Sequence, residues 1–199
     1  MTGQSPATSS LWALTQQARL FALPFYAEPH RAYHNAAHVR DLLVALGTRG
    51  VLSPVLALAV WGHDLIYDPR SGDNEARSAQ VFDQWLAAHS APDAARAQVQ
   101  DLILATRHVA EPEGRDAALL VDADLSILGA EPARFAAYDG AIRREYAHVP
   151  DEPYRQGRLG VLQAFLRRER LFTTPEFAAL EAPARANLHR AVAALEAGV

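Results

Sequence analysis

The sequence contains no cysteine. Disulfides, thiolate nucleophiles and Cys-based zinc or iron–sulfur sites are therefore excluded, and any metal must be held by nitrogen and oxygen ligands. Lysine is absent too, since all 19 basic residues are arginine. That removes Schiff-base chemistry and the phosphate-loop lysine. No stretch approaches the roughly 18 uncharged apolar residues that a membrane span needs. The most apolar segment, VLSPVLALAVWG, is short and runs straight into His63 and Asp64, so it reads as a buried core helix. The first ten residues, MTGQSPATSS, lack a positive n-region and a following apolar h-region, which reads as no signal peptide and an expected cytoplasmic protein. The formal charge is -4, with no basic arm or acidic tail. A general electrostatic grip on a nucleic-acid polymer or an anionic membrane is not expected.

Strand signals are also scarce: there is no sustained period-two alternation and no Asn-Gly hairpin turn. What is present is helical. Half of the residues are hydrophobic, enough for a sizeable core, and apolar residues recur at three- and four-residue spacing between Pro, Gly, Ser and Asp. The pattern predicts helices over Ser9 to Leu23, from an N-cap at Asn35 to Gly47, from an N-cap at Ser53 to about Tyr67, and over Asn74 to Ala88. Further helices are expected over Pro92 to His108, Asp116 to Leu128, Pro132 to Ala147, Tyr154 to Arg168 and Pro175 to Ala197. The economical reading is one all-α domain over residues 9–199, preceded by a flexible stretch 1–8.

Eight histidines are present, and some of them fall beside acidic residues in apolar surroundings. His34 and His38 are four apart in a stretch that reads as helical, which stacks them on one face. His63 and Asp64 stand at the end of the most apolar helix, where a polar pair is costly unless something satisfies it. Asp122 and Asp124 lie between LLV and LSILG. Each has a plainer alternative: His34 as a helix-start residue, Asp122 or Asp124 as a cap. Buried carboxylates without a basic neighbour need a proton or a cation, and a divalent metal with imidazole and carboxylate ligands would supply the charge.

The ordered series of a His, an adjacent His-Asp, and an Asp on a later helix resembles the defining pattern of the HD-domain superfamily of metal-dependent phosphohydrolases. The matching residues are His38 in YHNAAH, His63 and Asp64 in WGHDLIYD, and Asp124 in VDADLSILG. The segments PHRAYHNAAH, HDLIYDP, DNEARSA, ATRH, DADLSILG, IRREY and GRLGVLQAFL are similar to those of a bacterial subgroup of HD phosphohydrolases. The likeness spans roughly residues 10 to 190.

The resemblance implies a helical bundle of the HD type around a central divalent metal, manganese or magnesium, held by His38, His63, Asp64 and Asp124. Two residues apart, Asp122 and Asp124 cannot both face one site from a regular helix. The family pattern favours Asp124, with Asp122 as the alternative. The implied activity is hydrolysis of a phosphoester or phosphoanhydride by metal-activated water, with a small phosphorylated substrate, a nucleotide being the favoured class.

Asp68, four residues after Asp64, is a candidate for orienting or deprotonating that water, or else ends a helix before Pro69. His34, His108 and Arg107 lie in matching segments and are candidates for facing phosphate or protonating a leaving group. Residues 141–170 hold seven arginines against four acids. Among them Arg143, Arg144, Arg155 and Arg158 are candidate phosphate forks or a solvated helix face. Two other readings stay open: an HD-fold di-iron oxygenase recruiting His34 and His108, and a noncatalytic helical module that uses its metal to fold. A helix-packed homodimer is also open.

Overall fold

A nine-residue helix, Pro54–Gly62, is the apolar centre of the N-terminal half, and every residue from Leu56 to Gly62 in it is buried. A helix apolar on all sides must be surrounded, and in the computed structural model, which describes residues 6–198, it is. In chain order the helices are α1 (Pro6–Tyr26), α2 (Ala36–Thr48), α3 (Pro54–Gly62), α4 (Asn74–Ala88), α5 (Asp93–Ala105), α6 (Arg115–Asp124), α7 (Pro132–Glu145), α8 (Asp151–Arg167) and α9 (Glu181–Glu196), with 3-10 turns at Leu125–Gly129 and Ala178–Leu180. Among the described residues there is no strand, so the all-α reading stands. No helix there is long and apolar enough to cross a membrane.

The chain groups into two compact units, one up to Val121 and the other from Asp122. In the first, α3 packs against α1, α2, α4 and α5. α1 presents Leu14, Ala18, Ala22 and Tyr26 at four-residue spacing, all buried, and the Tyr26 hydroxyl donates to the Trp61 carbonyl at 3.0 Å. Arg96 on α5 grips both oxygens of Asp83 on α4 at 2.8 Å each. Gly62 ends α3 where only a hydrogen fits: a Cβ there would lie 2.6 Å from Phe82 and 2.8 Å from Ile103.

In the second unit, α9 packs against α8 and the 125–129 turn. Asn187 donates to the carbonyls of Leu128 (2.7 Å) and Ala130 (2.8 Å), and Glu181 accepts from the backbone of Leu171 and Phe172.

Several helix boundaries differ from those read off the sequence. α1 begins at Pro6 and continues through Pro24 to Tyr26, so residues 6–8 are helical, while residues 1–5 of the expected flexible stretch lie outside the described residues. Pro24 cannot donate to the Leu20 carbonyl, and its ring crowds that oxygen, but Leu20 is 71% exposed, so the interrupted turn lies on the solvent side. α3 stops at Gly62 rather than Tyr67, and α5 stops at Ala105, with His108 in a left-handed conformation (φ 56°). The expected Asp116 to Leu128 helix tightens into a 3-10 turn after Asp124. The last helix starts at Glu181, six residues after Pro175.

Candidate metal centre

Asn35 caps α2 by accepting from the Ala37 amide at 2.8 Å, which places His38 in the first turn, 3% exposed. Ser53 caps α3 by accepting from Leu56, and Pro54 follows at the position where a missing N–H is harmless. One turn past its centre, α3 delivers His63, 1% exposed, and then Asp64.

These three side chains converge. The Nε2 atoms of His38 and His63 are 3.2 Å apart. Asp64 Oδ2 lies 2.9 Å from His63 Nε2 and 3.6 Å from His38 Nε2. The opposite nitrogen of His63, Nδ1, is 2.9 Å from the Val60 carbonyl. A carbonyl can only accept, so Nδ1 carries the hydrogen and a neutral His63 presents a lone pair at Nε2. That lone pair then faces the Asp64 carboxylate at hydrogen-bond distance, an arrangement that needs a proton or a cation between them. Burial raises the Asp64 pKa, but when the needed proton sits on His63 Nε2, the charge and hydrogen bond of that imidazolium, with the fields of His34 and His38, outweigh it and hold the carboxyl well below its ordinary range. An ionised carboxylate and two imidazoles, one fixed in tautomer by a backbone carbonyl, are a donor set that suits a divalent ion. This cluster of two buried histidines and the partly buried Asp64 could hold one.

His34 sits in the turn before α2, not on its first turn, so it does not stack below His38 by helical spacing. A ring contact brings it there instead, with centroids 5.8 Å apart. His34 also stacks on Tyr67 at 4.3 Å, and Tyr33 packs against both His34 and His38.

Asp68 does not lie one helical turn beyond Asp64, because α3 has already ended. Its Oδ1 accepts from the Arg70 amide at 2.9 Å and holds a local turn. Asn74 pairs with the Asp68 backbone in both directions, and the buried Ser78 hydroxyl bonds both backbone groups of Ile66. The DNEARS segment thus braces the loop after the cluster through Asn74 and Ser78. Glu75 and Arg77 of the same segment do not make these bonds. Asp73 stands at the α4 N-cap without a side-chain capping bond.

Asp122, in the second unit, is fully buried and accepts from the Thr173 amide (3.0 Å), the Thr174 amide (2.7 Å) and the Thr174 hydroxyl (2.6 Å) on a single oxygen. Burial pushes its pKa up, while the bonds from Thr174 and Thr173 pull it down. The carboxylate anchors the 173–174 backbone. Asp124 is the half-buried last residue of α6.

The candidate arginines divide. Arg143 donates to Asp151 and to the Tyr146 and Val149 carbonyls. Arg155 is paired with Glu152, and Arg158 is buried against Asp139 at 2.8 Å. Arg144 lies in the last turn of α7, and Arg107 is exposed just past α5, next to His108.

Arg31 escaped the sequence reading. Its guanidinium is buried beside the cluster and bonded to backbone on both sides of it. The available signal was a cation embedded in PHRAYHNAAH, three residues before a candidate histidine.

Compared with family models, curated proteins and solved structures, the chain matches none of them.

Proposed function

We propose that this chain is a metal-dependent phosphohydrolase of the HD type that cleaves a phosphoester or phosphoanhydride bond, with a nucleotide as the favoured substrate class. The observation that carries the reading is the meeting of His38, His63 and Asp64, with His63 Nδ1 committed to a carbonyl and Nε2 turned to the carboxylate. In this reading the HD dipeptide supplies two ligands from the end of α3, His38 supplies a third, and Asp124 is the further carboxylate. Manganese or magnesium is the ion the resemblance implies, and the two imidazole donors favour the transition ion of the two.

Bound there, a divalent ion lowers the pKa of coordinated water and neutralises charge on phosphoryl oxygens. The protein's own groups do the rest. Asp64 stays ionised in a nearly closed site. His34, stacked on Tyr67 and within the field of Asp64, is the residue proposed to hold or accept a proton at the edge of the cluster. Arg107, the candidate arginine in the same unit, is proposed to meet phosphate.

The test is a panel of nucleoside mono-, di- and triphosphates, cyclic nucleotides and pyrophosphate, each assayed for bond cleavage with Mn²⁺ and Mg²⁺ beside the Asp64→Ala variant. Metal-dependent turnover of one class, lost in Asp64→Ala, is the expected result. Turnover that survives Asp64→Ala overturns the assignment, and two irons per chain with oxygen uptake would replace hydrolysis by oxidative cleavage.

A further inference from the structure

α3 ends at Gly62, so the carbonyls that follow leave the helical ladder and need partners. Two of them, those of Asp64 and Leu65, find the same one. Arg31 Nη1 donates to the Asp64 carbonyl at 2.6 Å and Nη2 to the Leu65 carbonyl at 2.9 Å. Nη1 also reaches back to the His34 carbonyl at 3.2 Å. One guanidinium thus ties the backbone of Asp64 to the backbone of His34.

A cation with its side chain at 0% exposure is costly unless compensated. Here the compensation is complete: Glu28 bonds Nε at 2.9 Å and Nη2 at 2.8 Å, and the rings of Tyr26 and Tyr67 lie 5.3 and 5.6 Å from the guanidinium carbon. Only arginine has the donor count and fork geometry for this. An ammonium has three donors on one atom and cannot span the three carbonyls and the carboxylate.

From this geometry we infer that Arg31 is a positioning residue for the His-Asp centre. By holding the Asp64 carbonyl on one side it fixes the backbone from which the Asp64 carboxylate turns toward His63, and through the His34 carbonyl it sets the approach of the 31–35 segment to that carboxylate. The role of the centre as a metal site rests on the proposed function, but the positioning of its side chains does not.

Two readouts separate the claims. The first is the set of imidazole resonances of His34, His38 and His63 in metal-free protein. The second is the Kd for Mn²⁺ alone, measured by calorimetry on full-length chain at a temperature where far-UV circular dichroism shows native helix content. In Arg31→Lys the His34 and His63 resonances shift or broaden, and the Mn²⁺ Kd rises by about 10- to 100-fold, the usual effect of removing a group that orients ligands. Glu28→Gln, which loosens the guanidinium from its half-exposed side, moves both readouts in the same direction by less.

Unmoved resonances with unchanged Mn²⁺ affinity in folded Arg31→Lys overturn the inference. If Arg31→Lys does not fold, unmoved readouts in Glu28→Gln overturn it instead. Shifted imidazoles in a chain whose wild type binds no Mn²⁺ would support Arg31 while removing the metal reading.

Discussion

The Nδ1 atom of His63 lies 2.9 Å from the backbone oxygen of Val60, one turn earlier in the chain. This bond leaves Nε2 as the lone-pair nitrogen and aims it at Asp64. A ligand so prepared makes folding and metal binding linked equilibria. At a free Mn²⁺ concentration a hundred times Kd, the wild type gains about 2.7 kcal/mol, or roughly 5–10 °C in Tm for a chain of this size. His63→Ala loses that gain. Differential scanning calorimetry with Mn²⁺ and with EDTA checks it, and equal metal-induced shifts in the two proteins would contradict it.

Gly62 tests the packing that delivers His63. In Gly62→Ala the new methyl meets Phe82 and Ile103 at under 3 Å, with all the neighbours buried. Overpacking of this kind costs about 1–3 kcal/mol. Urea unfolding measures the loss directly, and Mn²⁺ affinity falls with it if α3 shifts to make room. A variant as stable as the wild type would show that the α3, α4 and α5 contact yields easily.

Asp122 and Asp124 are separated by opposite expectations. Asp122→Ala strands the Thr173 and Thr174 amides and the Thr174 hydroxyl, a loss of about 2–4 kcal/mol, while the folded protein keeps its Mn²⁺ affinity. Asp124→Ala has the reverse profile, with a small stability change and a large drop in affinity. Unfolding curves paired with metal titrations read both, and an interchange of the two profiles would make Asp122 the ligand.

The difference between those two aspartates shows what a sequence can and cannot carry. Helix type and most starts were legible because they are local: Asn35 and Ser53 cap where their side chains suggest, and α4 has the bounds its periodicity predicts. The His63-Asp64 pair was legible because it ends an apolar run, and its pairing with His38 came from the resemblance to the HD pattern. What stayed hidden depends on distant partners. The ending of α3 is tied to Arg31, more than 30 residues away. Asp122 is claimed by a segment about 50 residues downstream, and Arg143 and Arg158 by Asp151 and Asp139. Net charge by segment cannot reveal which arginines are already paired.

Tyr154 gives the second unit a test at alkaline pH. Its hydroxyl is buried without a hydrogen-bond partner, with the Arg143 guanidinium over its ring at 4.5 Å. Burial first, and Asp139 and Tyr138 after it, raise its pKa above 10.0 against the opposing fields of Arg158 and Arg143. A folded pKa above the unfolded value means that this stability is fully present below about pH 10 and lost as pH rises through the folded pKa. Tyr154→Phe therefore flattens the decline of stability above pH 10 and is neutral or slightly stabilising at pH 7, because an unmatched hydroxyl is removed. Unfolding free energies from pH 7 to 11 test the slope, and parallel curves for the two proteins would contradict it.

The central claim is that His38, His63 and Asp64 form a metal centre, and a calorimetric titration of full-length protein with Mn²⁺ tests it most directly, run on the wild type and on Asp64→Ala. The account predicts saturable binding of at least one ion per wild-type chain and its loss in a folded Asp64→Ala. Wild type without binding, or Asp64→Ala binding with unchanged affinity, would contradict it.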